Sequence, residues 1–181
     1  MSLTKKISVI VFLCLLIPAA WAFGEAEAKV GVVDFQKVID VSIAGKAVNA
    51  ELVAFNEKWK ARLTDKRKEI EAIQKKIDED LVMSREQREK LKRDMAKKFV
   101  DFKSDEKKYK EDIAVLRNRK LKLLTDDALK LAKKIGQEEG YQVIISKTGT
   151  LYYSDAVDIT EKMIKIYNEE YARKPAAKKN E

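Results

Sequence analysis

Between Gly45 and Gly136 the chain has no glycine, and between Pro18 and Pro175 it has no proline. A run of this length without either breaker is a strong helix signal. Its apolar residues keep helical time. Val48, Leu52, Phe55, Trp59 and Leu63 are spaced by three and four, and Ile70, Ile73, Ile77 and Leu81 continue that face, with Lys66 in a seam position. Further on, Met95, Phe102, Tyr109, Leu116 and Leu123 recur every seventh residue, with Phe99, Ile113, Glu106 and Lys120 marking the second seam position. Such spacing among 38% charged residues predicts a coiled coil. Leu124, Ala128, Leu131 and Ile135 then shift the phase by one residue, as a stutter does. A hydrophobic share of 45% argues against a disordered chain.

The apolar phase is lost between Leu81 and Leu91, and Ser84 followed by Gln87 is a capping box there. A reversal near 82–86 is favoured over one uninterrupted helix. The result is an antiparallel helical hairpin over 46–139 with unequal arms.

Both flanks are β-rich. Lys29 to Phe35 reads as a strand, and Asp34 can cap a short helix from Phe35 to Asp40. After Gly140, the runs Tyr141–Ser146 and Leu151–Ser154 flank Lys147-Thr148-Gly149-Thr150, which predicts a β-hairpin turning at Gly149. Asp158-Ile159-Thr160-Glu161 opens a last helix with Asp158 and Glu161 as a capping pair. The hairpin arm returns the chain, so three strands can form one sheet. Residues 23–45 and 140–172 are then two parts of a single β body, with a disordered polar tail over 173–181. Three strands and a short helix make a poor core, so association through the sheet is expected, with barrel closure as one solution. The residues expected to build that body are Val30, Val32, Val143, Ile145, Leu151 and Tyr153. The fold class is α+β and predominantly α.

The first 22 residues carry Lys5 and Lys6, an apolar run from Ile7 to Ile17, and Ala20-Trp21-Ala22 as a cleavage site. They read as a signal peptide, cut after Ala22 or Ala28; the apolar run is too short to span a membrane. Removing residues 1–22 takes away Cys14, the only cysteine, and leaves 36 basic and 30 acidic residues. There is no histidine, which excludes imidazole bases and His metal ligands. No phosphate-binding loop is present, and carboxylate pairs such as Asp126-Asp127 and Glu138-Glu139 diverge around a helix. No catalytic, cofactor or metal residue is expected, and no cofactor.

Basic charge is uneven. Residues 46–84 hold 9 basic and 8 acidic side chains, whereas 85–122 hold 15 and 8. Arg85, Arg88, Lys90, Lys92, Arg93, Lys97 and Lys98 are therefore candidates for a binding surface near the arm's tip, with Met83 as adaptable apolar surface. The alternative is an ordinary solvated helix face. Met95, Phe99 and Phe102 are read as coiled-coil seam before they are read as binding surface.

Taken together, these segments resemble the Skp (OmpH-like) family of periplasmic chaperones. The match runs from Lys29 to about Asn168 and is most specific over Gly140–Ile145 and Leu151–Glu161. The resemblance implies a homotrimer held by an intersubunit β-barrel, with three helical arms around a cavity. It implies an ATP-independent holdase for unfolded outer-membrane β-barrel proteins, located in the periplasm. The resemblance also suggests an anionic membrane surface or lipopolysaccharide as a partner, but the corresponding positions fall near Asp105, Val115 and Leu116, which are not basic, so no lipid-site residue is assigned.

Other readings stay open. A sequence pI near 9.3 invites nucleic-acid binding, against which stand the export signal and the interspersed acids. An exported coiled-coil adaptor with one fixed partner is the other alternative.

Overall fold

A computed structural model describes residues 28–174. The signal peptide expected over 1–22 and all of the expected tail beyond Lys174 lie outside the described residues. Strand β1 (Val30–Val33) leads into α1 (Phe35–Val41), α2 (Ile43–Glu79), α3 (Arg85–Glu139), β2 (Val143–Ser146) and α4 (Thr160–Arg173), with single 3-10 turns at Lys147–Gly149 and Asp155–Val157.

Polar caps set the helix boundaries. Asp34 accepts from the amide of Lys37 at the start of α1, Ser42 from that of Gly45 at the start of α2, and Ser84 from that of Gln87 at the start of α3. Gly140 ends α3 in the left-handed region at φ 73°, its amide reaching back to the carbonyl of Gly136.

Helices α2 and α3 form the antiparallel arm, with the reversal at Asp80–Ser84. At 1.5 Å per residue they are about 55 and about 80 Å long. The extra length of α3 is the floor of the body. Leu124, Ala128, Leu131 and Ile135 are all buried there, packed with Val33, Val38, Ala44, Ile159, Met163, Ile164 and Tyr167. The phase shift read from the sequence is thus the point where α3 stops facing α2 alone and turns its apolar side to the body.

The sheet differs from expectation. It has two strands, parallel, with Val30 opposite Val143 and Val33 opposite Ser146. No β-hairpin forms among the described residues, and Leu151 and Tyr153 lie outside any strand. The reason is local. Ser146 Oγ accepts from the amide of Thr148, and Thr150 Oγ1 donates to the carbonyl of Ser146, which satisfies the segment as a tight turn. Gly149 does not adopt the positive φ that a two-residue hairpin turn requires. The third position in the sheet is a single bridge from Val32 to Asp158, with the Ile159 amide donating to the Val32 carbonyl at 2.9 Å.

The opening of α4 also differs. Asp158 accepts from the Thr160 amide in a local turn, while Glu161 reaches across to Lys37. Arg173 closes α4 and Lys174 pairs with Asp127 at 2.7 Å, so the first two residues of the tail expected over 173–181 are held against the body.

Candidate functional site

The arm is a single layer of paired helices, so its packing seam and its solvent faces are separated by one side chain. Partners from Glu51 to Ile77 on α2 meet partners from Lys120 back to Arg88 on α3. Near the body the buried Lys120 pairs with Glu51 at 3.0 Å. Phe55, Trp59 and Tyr109 then form an aromatic cluster with centroids 6.0–6.5 Å apart, and the Tyr109 hydroxyl donates to Asn56.

Next comes an ionic node. Asp105, 9% exposed, accepts two hydrogen bonds of 2.9 Å from Arg62 and pairs with Lys66. The Lys66 hydrogen bond, reinforced by Arg62, holds the Asp105 carboxyl below the usual range despite burial. The sequence reading puts Glu106 at a seam position of α3. Instead Glu106 pairs with Lys103 beside the seam, because Asp105 is the residue that α3's rotation points at α2.

Towards the tip the seam thins out. Leu81 and Val82 belong to the reversal and are 89% and 95% exposed, so Leu81 is not a seam residue. Leu123 is also exposed, since the phase shift brings Leu124 inward in its place. Phe102 is buried but Phe99 is half exposed, being about 50° around the helix from the Met95–Phe102 line. Phe99 therefore opens onto a cleft of about 700 Å³ between the helices, floored by Ile70, Met95 and Ala96 and edged by Glu71 and Asp78.

The basic residues singled out from the sequence divide into two groups. Arg88 is structural: its guanidinium donates to the carbonyls of Ile77 and Asp80 at 3.1 Å and clamps the end of α2 onto the start of α3. Lys92 pairs with Glu89, and Lys98 pairs with Glu69 across the arm. Arg85, Lys90, Arg93 and Lys97 are exposed and make no ion pair among the described residues. Met83 is half buried within the reversal. Sequence reasoning missed the Arg88 clamp, whose acceptors are backbone atoms brought close only by the reversal.

In the body, Val32 is 1% exposed and occupied by its own chain, while Val30 is partly covered. Val143 and Ile145 are 48% and 38% exposed along the outer, unpaired edge of β2. Leu151 and Tyr152 are wholly exposed; Tyr153 is half buried, its hydroxyl donating to Asp158. Among the described residues no three His, Cys, Asp or Glu side chains are placed to hold a metal ion, and no helix is long and apolar enough to cross a membrane.

A two-helix arm carrying an open apolar cleft, mounted on a small α/β body whose β2 edge is unpaired among the described residues, defines an arm-and-body architecture. Comparison with known proteins makes the class specific. The family model described as outer membrane protein (OmpH-like) matches residues 29–167, and this chain belongs to that family. No curated protein matches it. Among solved structures, an OmpH-like candidate outer membrane chaperone from Caulobacter crescentus CB15 matches with a TM-score of 0.73. It is 17% identical, and the match covers 81% of this chain and 88% of that one, a likeness of fold.

Proposed function

We propose that this protein is an ATP-independent periplasmic holdase that receives unfolded outer-membrane β-barrel proteins between helical arms and keeps them from aggregating. The observation that carries the reading is the apolar surface towards the arm's tip. Phe99 on the helix pair and Leu81 and Val82 in the reversal all stay exposed, while the buried core lies apart in the body. An exposed apolar patch on an otherwise highly charged arm is what a binder of unfolded chains requires. Family membership and the OmpH-like chaperone fold support the same role.

In this reading Arg85, Lys90, Arg93 and Lys97 supply long-range attraction for acidic clients, and the apolar residues make many weak contacts. Arg88 and Lys98 hold the two helices of the arm together, and Lys92 is paired within its own helix. The homotrimer is what the family resemblance implies, and it is supported by a β2 edge that no strand pairs among the described residues, beside the partly exposed Val143 and Ile145 and the exposed Leu151.

The test is native mass of the protein from residue 23 onward, alone and after dilution of a urea-unfolded outer-membrane barrel into it. A trimer that keeps the barrel soluble in a defined complex without ATP is the expected result. A trimer that leaves the barrel to aggregate would refute holdase activity and favour a coiled-coil adaptor.

A further inference from the structure

We propose that the cleft at Phe99 takes an extended peptide segment presenting two apolar side chains, at positions i and i+2, with a lysine or arginine beside them. This rests on the holdase reading and names the local sequence that the arm selects.

The first argument is size and shape. At about 700 Å³ the cleft exceeds one side chain and falls within the range of small-molecule pockets. It lies along two antiparallel helices, so its occupant is elongated. An extended strand puts every second side chain on one face, about 6–7 Å apart, which matches a cleft floored by Ile70, Met95 and Ala96. Ala96 leaves the depth, and Met95 adapts to aliphatic or aromatic guests.

The second argument is charge. The tip-side half of the arm is basic overall, yet the lip of this cleft is acidic. Glu71 makes no ion pair among the described residues, and Asp78 is held only by the Gln74 amide at 2.9 Å. Glu79 is offset by Lys75 at 3.8 Å. Lys75 lines the same lip and offsets one of its three carboxylates, so the rim beside the apolar residues is net acidic and complementary to a guest with a cationic neighbour. Long-range attraction and local selection thus have opposite signs: an acidic chain is drawn in, and its basic, apolar stretches are what the cleft retains.

The experiment measures fluorescence anisotropy of labelled nine-residue peptides with tryptophan at two alternate positions, flanked by lysine or by glutamate, against the protein from residue 23 onward. Lysine-flanked peptide should bind about two- to fivefold tighter, as one or two exposed charge pairs allow. The preference should shrink as salt rises. Replacing both tryptophans with serine should cost about tenfold or more. Glu71→Lys, an exposed change, takes the lip from an excess of two carboxylates to none and should erase the flank preference, and Ala96→Trp should fill the cleft and abolish binding with the helical signal unchanged. Equal affinity for the two flanks, or preference unmoved by Glu71→Lys, overturns the proposal. The same preparations are scored for barrel aggregation: suppression without flank preference overturns the cleft assignment alone, and absence of suppression overturns the holdase reading with it.

Discussion

Gly45 stands where no side chain fits. A Cβ there would lie 1.6 Å from the carbonyl oxygen of Ile39, because α1 turns into α2 with only Ser42 between them. Gly45→Ala forces the two helices apart and should cost about 2–4 kcal/mol in urea unfolding. Gly149, which the sequence suggests as the essential turn glycine, meets nothing within 4 Å and has no positive φ. Gly149→Val should leave monomer stability within about 0.5 kcal/mol. Equal losses in the two variants would contradict the structure. The sequence around the two glycines does not single out Gly45: it follows Ile43-Ala44 in a helix-compatible run, whereas Gly149 follows Lys147-Thr148 in a turn-like one. What separates them is a through-space contact that no local pattern encodes. The Arg88 clamp was hidden in the same way, among seven basic residues of identical apparent status.

The helices were the readable part. Three-four spacing located both arms, and Ser84 located the start of the second, because capping and burial are short-range effects written in adjacent residues. Seam positions held by charges were harder to read. Asp105 and Glu106 are neighbours of like charge, and only the rotation of α3 decides which one meets Arg62 and Lys66. That node has a pH signature. The Asp105 carboxyl is held below its unfolded value of about 3.9, so its contribution is full above about pH 5. It is lost as pH falls past the unfolded value and through the folded one. Asp105→Asn removes the carboxylate from two cations and should cost about 1–3 kcal/mol at pH 7. The deficit should shrink as pH falls below the unfolded value and vanish only once the depressed native carboxyl is protonated as well. Circular dichroism melts across that range read the difference directly. The β segments were misread as a hairpin because Ser146 and Thr150 offer the backbone a competing local arrangement of equal polarity.

At the scale of the whole molecule, the body is stable in its interior and unfinished at its rim. Its core is closed by β1, α1, the base of α3 and α4, but the outer edge of β2 offers an unpaired ladder flanked by Val143 and Ile145. If copies associate there, Ile145→Arg should disperse the assembly in native mass spectrometry while leaving the helical signal in place. An unchanged mass would move the interface elsewhere, with Leu151 and Tyr152 the next surface to alter. The parallel pairing of Val30 with Val143 has a further consequence. The two strands are separated by the entire arm, whereas the arm's own contacts near the reversal join residues about ten positions apart. Loop-closure entropy therefore orders the folding: the arm zips early from its reversal, and the body waits for the last helix to emerge. A chain crossing a membrane N-terminus first would expose its completed tip while its base was still unmade. The working end of the molecule would exist before the part that joins it to its copies.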